Sequence, residues 1–97
     1  MASSVEYLTY VLDLLREVDG ITYKKMMGEY LLYKDGVLFG GIYDDRFLVK
    51  KAASIVSLNL REELPYDGAK LMCVVESDDA DEVKELVLKV LAGISKR

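Results

Sequence analysis

The residues able to do chemistry in this 97-residue chain are mostly carboxylates: it has 17 acidic residues, one cysteine and no histidine. Without histidine, imidazole acid–base catalysis and His-ligated metal sites are excluded, and a single cysteine removes zinc fingers and Cys–His nucleophilic pairs. No serine or threonine lies in a motif with an activating base. The carboxylates cluster at Asp44-Asp45, Glu62-Glu63 and Asp78-Asp79-x-Asp81-Glu82. The last cluster lacks the glycine and the distal glutamate of a calcium loop. It reads instead as a helix start, with Asp78 or Asp79 as the cap, Glu82 completing a capping box from Asp79, and acids at the positive end of the dipole. Asp44-Asp45 has the chemistry of a tight turn, and Glu62-Glu63 is expected as a solvated segment after a short helix. Gly40-Gly41 fits no phosphate-binding loop, because the context is strand to strand. Met26-Met27 is expected to fill the core. These residues predict no catalytic group, no metal and no cofactor, and so a protein that is not an enzyme.

A second chemistry is binding, and charge locates it. The net charge is −4, which disfavours a chain whose main work is holding phosphate backbones. The distribution is uneven: residues 21–51 hold six basic and four acidic side chains, whereas both flanks are acidic. An anion-binding surface is therefore expected at Lys24, Lys25, Arg46, Lys50 and Lys51. The plainer role of such lysines is to block edge-to-edge association of strands. Tyr23, Tyr30, Tyr33 and Tyr43 share this region, so stacking of nucleobases flanked by lysines is an alternative function. No RNA-binding aromatic signature accompanies them.

The elements that must position these residues follow from hydrophobic period. Leu8, Val11, Leu12, Leu15 and Val18 recur at helical spacing behind Ser3 or Ser4 as cap, with a stop near Asp19-Gly20. Strands are predicted from Thr22 to Met26, Glu29 to Lys34, Val37 to Tyr43 and Arg46 to Lys50. Asp35-Gly36 is the strongest hairpin signal, and Gly40-Gly41 suggests a bulge or close backbone approach. Ala52, Ile55, Val56 and Leu60 fit a short helical face. After a Pro- and Gly-punctuated loop at 64–68, Lys70 to Glu76 reads as a strand. Val83, Leu86, Val87, Val90, Leu91 and Ile94 form the core face of a last helix, whose far end carries Lys89, Lys96 and Arg97. The prediction is one domain spanning 1–97, an α+β fold of two layers with about five antiparallel or mixed strands and three helices in the order α-β-β-β-β-α-β-α.

In the strands both faces are apolar: Tyr30 and Leu32 point one way, Leu31 and Tyr33 the other. The second face needs cover, either from a second subunit in a homodimer or from a helix if the first and last helices take different faces. Cys73 is expected as a buried small hydrophobe in a reducing cytoplasm. The N-terminus lacks the pattern of a signal peptide, and no stretch is long enough to span a membrane.

Taken together, Tyr23-Lys24-Lys25-Met26-Met27-Gly28-Glu29-Tyr30, Asp35-Gly36, Leu38 through Lys50, and Leu64-Pro65-Tyr66-Asp67-Gly68-Ala69-Lys70 resemble the N-terminal domain of the TfoX (Sxy) family across essentially the whole chain. The resemblance implies a TfoX N-terminal-type α+β fold. Full-length members regulate natural competence in bacteria, acting with the cyclic-AMP receptor protein at particular promoters. This sequence ends at Arg97 without the family's helical, DNA-binding-like C-terminal domain, so the expectation is a stand-alone cytoplasmic module in transcriptional regulation that binds a protein partner. Lys24, Lys25, Glu29, Tyr30, Tyr43, Asp45 and Arg46 are the expected partner contacts. The family supplies no catalytic residue to carry over.

Overall fold

The computed structural model describes residues 3–94. Lys96 and Arg97, expected to complement the dipole of the last helix, lie outside the described residues. Helix α1 (Val5–Leu14) leads into strands β1 (Ile21–Met26), β2 (Glu29–Lys34), β3 (Val37–Ile42) and β4 (Phe47–Val49). A 3₁₀ helix (Ala53–Leu58), strands β5 (Glu62–Glu63) and β6 (Met72–Val74) and helix α2 (Ala80–Ile94) follow. The fold is α+β, with the predicted element order apart from one addition, the two-residue strand β5. All pairings are antiparallel, and the sheet order is β1-β2-β3-β4-β6-β5.

Turn chemistry sets the first four strands. Met27-Gly28 (φ 53° and 85°) and Asp35-Gly36 (φ 49° and 83°) each place two consecutive residues in the left-handed region, as two-residue hairpin turns of right-handed twist require. Asp44-Asp45 does so without glycine (φ 54° and 56°), which aspartate tolerates better than most residues. Between Leu32–Gly40 and Tyr33–Leu38 the register moves by one, leaving Phe39 as the extra residue of a bulge. A Cβ on Gly40 would run into the Leu48 carbonyl of β4, so both glycine readings, bulge and close approach, apply here.

Helices α1 and α2 and the 3₁₀ helix cover the same face of the sheet. Their Leu8, Val11, Leu15, Ile55, Val83, Val87 and Val90 close on Tyr30, Leu32, Phe39, Ile42, Phe47 and Val49 in one core. The arrangement with one helix on each face does not occur. Regular helix in α1 ends at Leu14, before the expected Asp19-Gly20 stop, because tight turns bury both Leu15 and Val18 before Gly20 (φ 81°) redirects the chain. Val56 is 56% exposed, since the 3₁₀ helix turns only Ile55 fully inward.

Helix α2 is capped by Asp79, whose Oδ1 accepts from the backbone of Asp81 and Glu82. Glu82 does not close the expected box. Ser77 Oγ accepts from the Asp79 N–H and donates to Glu82 Oε1, taking the donor that Glu82 would have received.

The two sheet edges are unequal. β5 is two residues long and its side chains are engaged in ion pairs, whereas β1 pairs with β2 over six residues and, among the described residues, leaves its other edge open.

Candidate functional site

The seven residues singled out by sequence separate into two places. Glu29, Tyr43, Asp45 and Arg46 gather around the β3–β4 turn, while Lys24, Lys25 and Tyr30 belong to the β1–β2 hairpin.

At the turn, left-handed backbone at Asp44 and Asp45 aims their N–H groups at Glu29 and at the N-terminal segment, respectively. Asp45 N–H donates to Ser3 Oγ at 3.0 Å, and Ser3 Oγ donates to Glu29 Oε1 at 2.6 Å. Glu29 Oε1 also accepts from Asp44 N–H at 3.1 Å. Asp45 Oδ1 accepts from Ser4 N–H at 2.8 Å, placing a carboxylate at the positive start of α1, where Ser4 is the N-cap. Ser3 N–H donates to Gly28 O at 3.0 Å, which completes the attachment. Glu29 and Asp45 are thus spent on docking the start of α1 against two turns of the sheet.

Arg46 serves the opposite side of the turn. Its Nε donates to Tyr43 O at 3.1 Å, its Nη1 to Glu63 Oε1 at 2.7 Å and Leu64 O at 3.1 Å, and its Nη2 to Pro65 O at 3.3 Å. The hydrogen bond from Arg46, helped by the charge of Arg61, holds the Glu63 carboxyl below the usual glutamate range. With its start fixed this way, the 64–71 loop buries Pro65 and lays the Tyr66 ring 6.2 Å from that of Tyr43. Tyr43 packs over Gly41, where a Cβ would come within 2.8 Å of its ring. It joins Leu48 and Val74 in a second apolar cluster with Leu31 and Met72. Burial pushes the Tyr43 hydroxyl up, with Tyr66 and Glu29 adding to the shift.

This loop covers part of the second face, for which the sequence predicts a second subunit or a helix, and leaves Leu31 and Tyr33 half-buried. Tyr43 is 8% exposed and Leu48 is fully buried within the single chain. A loop can cover an apolar face when its own backbone groups find partners, and the guanidinium of Arg46 takes two of those carbonyls.

The β1–β2 hairpin is the open part. Lys24 and Lys25 are exposed on β1, opposite Leu31 and Tyr30. Tyr30 itself is only 3% exposed, edge-on to Tyr23 at 5.8 Å, so it lies in the core. With Tyr30 and Tyr43 both buried, Tyr23 and the half-buried Tyr33 are left, and these lie on opposite faces of the sheet, so the four tyrosines make no common stacking platform. Met26 and Met27 do not fill the core. They are 45% and 96% exposed, because Met27 occupies the outward tip of a hairpin turn.

Sequence reasoning missed Ser3, Glu63, Tyr66 and Met27 as parts of these surfaces. Glu62-Glu63 forms a strand whose side chains stay partly exposed but are ion-paired: Lys51 Nζ lies 3.2 Å from Glu62, and Arg46 and Arg61 both pair with Glu63. Cys73 is buried as expected, and desolvation raises its thiol pKa. Among the described residues, no group of three or more ligand-type side chains converges on a point where a metal could sit. No helix there is long and apolar enough to cross a membrane. Comparison with family models and with curated proteins finds no match to this chain.

Proposed function

We propose that the chain is a non-catalytic interaction module of the kind its resemblance to the TfoX N-terminal domain implies, and that it takes a protein partner along the open edge of β1. The observation that carries this reading is the edge itself. It has six residues in unbroken register with β2 and no proline, and it displays Tyr23, Lys24, Lys25 and Met26 beside the exposed Met27. An extended segment added to such an edge gains main-chain hydrogen bonds, and alternate side chains set specificity. The paired lysines, with no ion pair or hydrogen bond from either side chain among the described residues, favour an acidic segment. A role in transcriptional regulation in the bacterial cytoplasm is part of the same proposal and rests on the resemblance.

The test is affinity capture from the native host with the wild-type chain and with Lys24→Glu/Lys25→Glu, followed by mass spectrometry and binding of the purified partner. A partner lost on charge reversal and retained by Lys50→Glu/Lys70→Glu supports the reading; a partner indifferent to both leaves β1 out of the interface. Nucleic-acid binding is tested beside it by fluorescence anisotropy at low salt, where steep salt dependence would favour phosphate contacts instead. Self-association through the sheet face would show as concentration-dependent sedimentation abolished by Tyr66→Asp.

A further inference from the structure

A groove of about 760 Å³ lies between β3, the Lys50-Lys51 step that follows β4, and the 65–72 loop. Its size falls within the roughly 300–1,000 Å³ of small-molecule sites. Two features of its lining set the chemistry of an occupant. Part of the lining is apolar, with Leu38 from β3, Tyr66 and Leu71 from the loop and Met72 from β6, of which Tyr66 is 63% and Leu71 45% exposed. The charged lining is of one sign: among the described residues Lys50, Lys51 and Lys70 border the groove and no carboxylate does, in a chain whose net charge is −4.

Lys51 is occupied by Glu62 at 3.2 Å. The side chains of Lys50 and Lys70 make no ion pair or hydrogen bond among the described residues. Asp67 belongs to the same loop but does not line the groove. Clefts lined by one sign of charge with low-dielectric walls concentrate counter-ions. Here the apolar lining would bury an apolar body while the free ammonium groups take its charge.

We propose that this groove binds an amphipathic anion, an acyl or aromatic body carrying one carboxylate or phosphate, with Lys50 and Lys70 as the anion-binding residues. The site is separate from the β1 edge and does not depend on the partner reading above.

The experiment titrates the full chain with decanoate, decyl phosphate and decanol by calorimetry at fixed ionic strength. Both anions, or one of them, bind more tightly than decanol, and the tighter of the two identifies the headgroup. Lys50→Ala/Lys70→Ala weakens anion binding about tenfold or more, the effect of losing charge-assisted contacts. Lys24→Ala/Lys25→Ala leaves it unchanged, which separates a groove effect from one of net charge. Amide shifts on binding appear at Tyr66, Leu71 and Met72. Absence of anion binding, equal affinity for decanol, or equal loss in the two lysine pairs overturns the proposal. The substituted lysines are exposed, and unchanged far-ultraviolet circular dichroism of both variants establishes that folding is not what is read.

Discussion

Arg46 and Glu63 are joined at 2.7 Å across 17 residues of sequence, and this contact seats the 64–71 loop on the second face of the sheet. The same guanidinium holds the carbonyls of Leu64 and Pro65, so one side chain fixes both the edge strand and the start of the loop.

Arg46→Met keeps the aliphatic stem and removes the guanidinium. Losing the bonds to the two carbonyls is expected to cost about 1–2 kcal/mol. The 64–71 loop becomes sensitive to limited proteolysis, and Tyr43 gains exposure. Denaturant unfolding and mapping of the cleavage sites read both effects. An uncut loop in the variant would show that the loop is held by something other than Arg46.

Two carboxyls give opposite pH responses. Glu63 is depressed by its hydrogen bond from Arg46, so its contribution is present above the unfolded glutamate pKa and is lost as pH falls through the lower folded value. Glu17 is raised by a hydrogen bond with Asp81 and by the repulsion of that second carboxylate. Its stabilising contribution is present below the unfolded pKa and is lost as pH rises through the raised folded value. Glu17→Gln is therefore expected to raise Tm at neutral pH and Glu63→Gln to lower it. Both differences shrink when the carboxyls are protonated, which thermal melts across pH measure directly.

Gly93→Ala tests packing against propensity. In an exposed helix interior this change stabilises by about 1 kcal/mol. Here the new Cβ would sit 2.9 Å from Ala52 Cβ and 2.6 Å from Ser54 Oγ, which is itself bonded to Lys89 O. The 3₁₀ helix must then move off α2, and overpacking costs about 1–3 kcal/mol. The net change is expected to be a loss of stability in urea unfolding, and a gain would show that this contact is loose.

Replacing both edge lysines with valine separates the two roles of that pair. Lys24→Val/Lys25→Val is expected to promote self-association in light scattering, because the open strand loses its charge. It should also weaken capture of an acidic partner. Self-association with undiminished capture would assign the lysines to protection of the edge alone.

The fold was readable where local chemistry decides it. Asp35-Gly36, the alternation through Tyr30 to Tyr33 and the helical spacing of Val83 to Leu91 each act over a few residues, and the structure agrees with all of them. Contacts between distant segments were not readable. Ser3 meets Glu29 and Asp45 across 26 and 42 residues, and nothing in the type of a serine near the N-terminus announces that meeting. The sequence neighbours of Tyr30 mark it as a contact, but strand parity turns it into the core, while Met27 is turned outward by positive φ that methionine rarely adopts. The partner of Glu63 that sequence does not show is Arg46, 17 residues away, which reaches it only when β6 lies between β4 and β5.

The inequality of the two edges gives the sheet a valence of one. A strand added at β1 finds a six-residue template, whereas the far side ends in two residues with their carboxylates already paired. A second copy joined edge to edge would consume the templates of both molecules and close the assembly as a pair. A sheet with two long open edges would propagate into a filament; an edge-to-edge pair of this chain would present only the two short β5 edges outside.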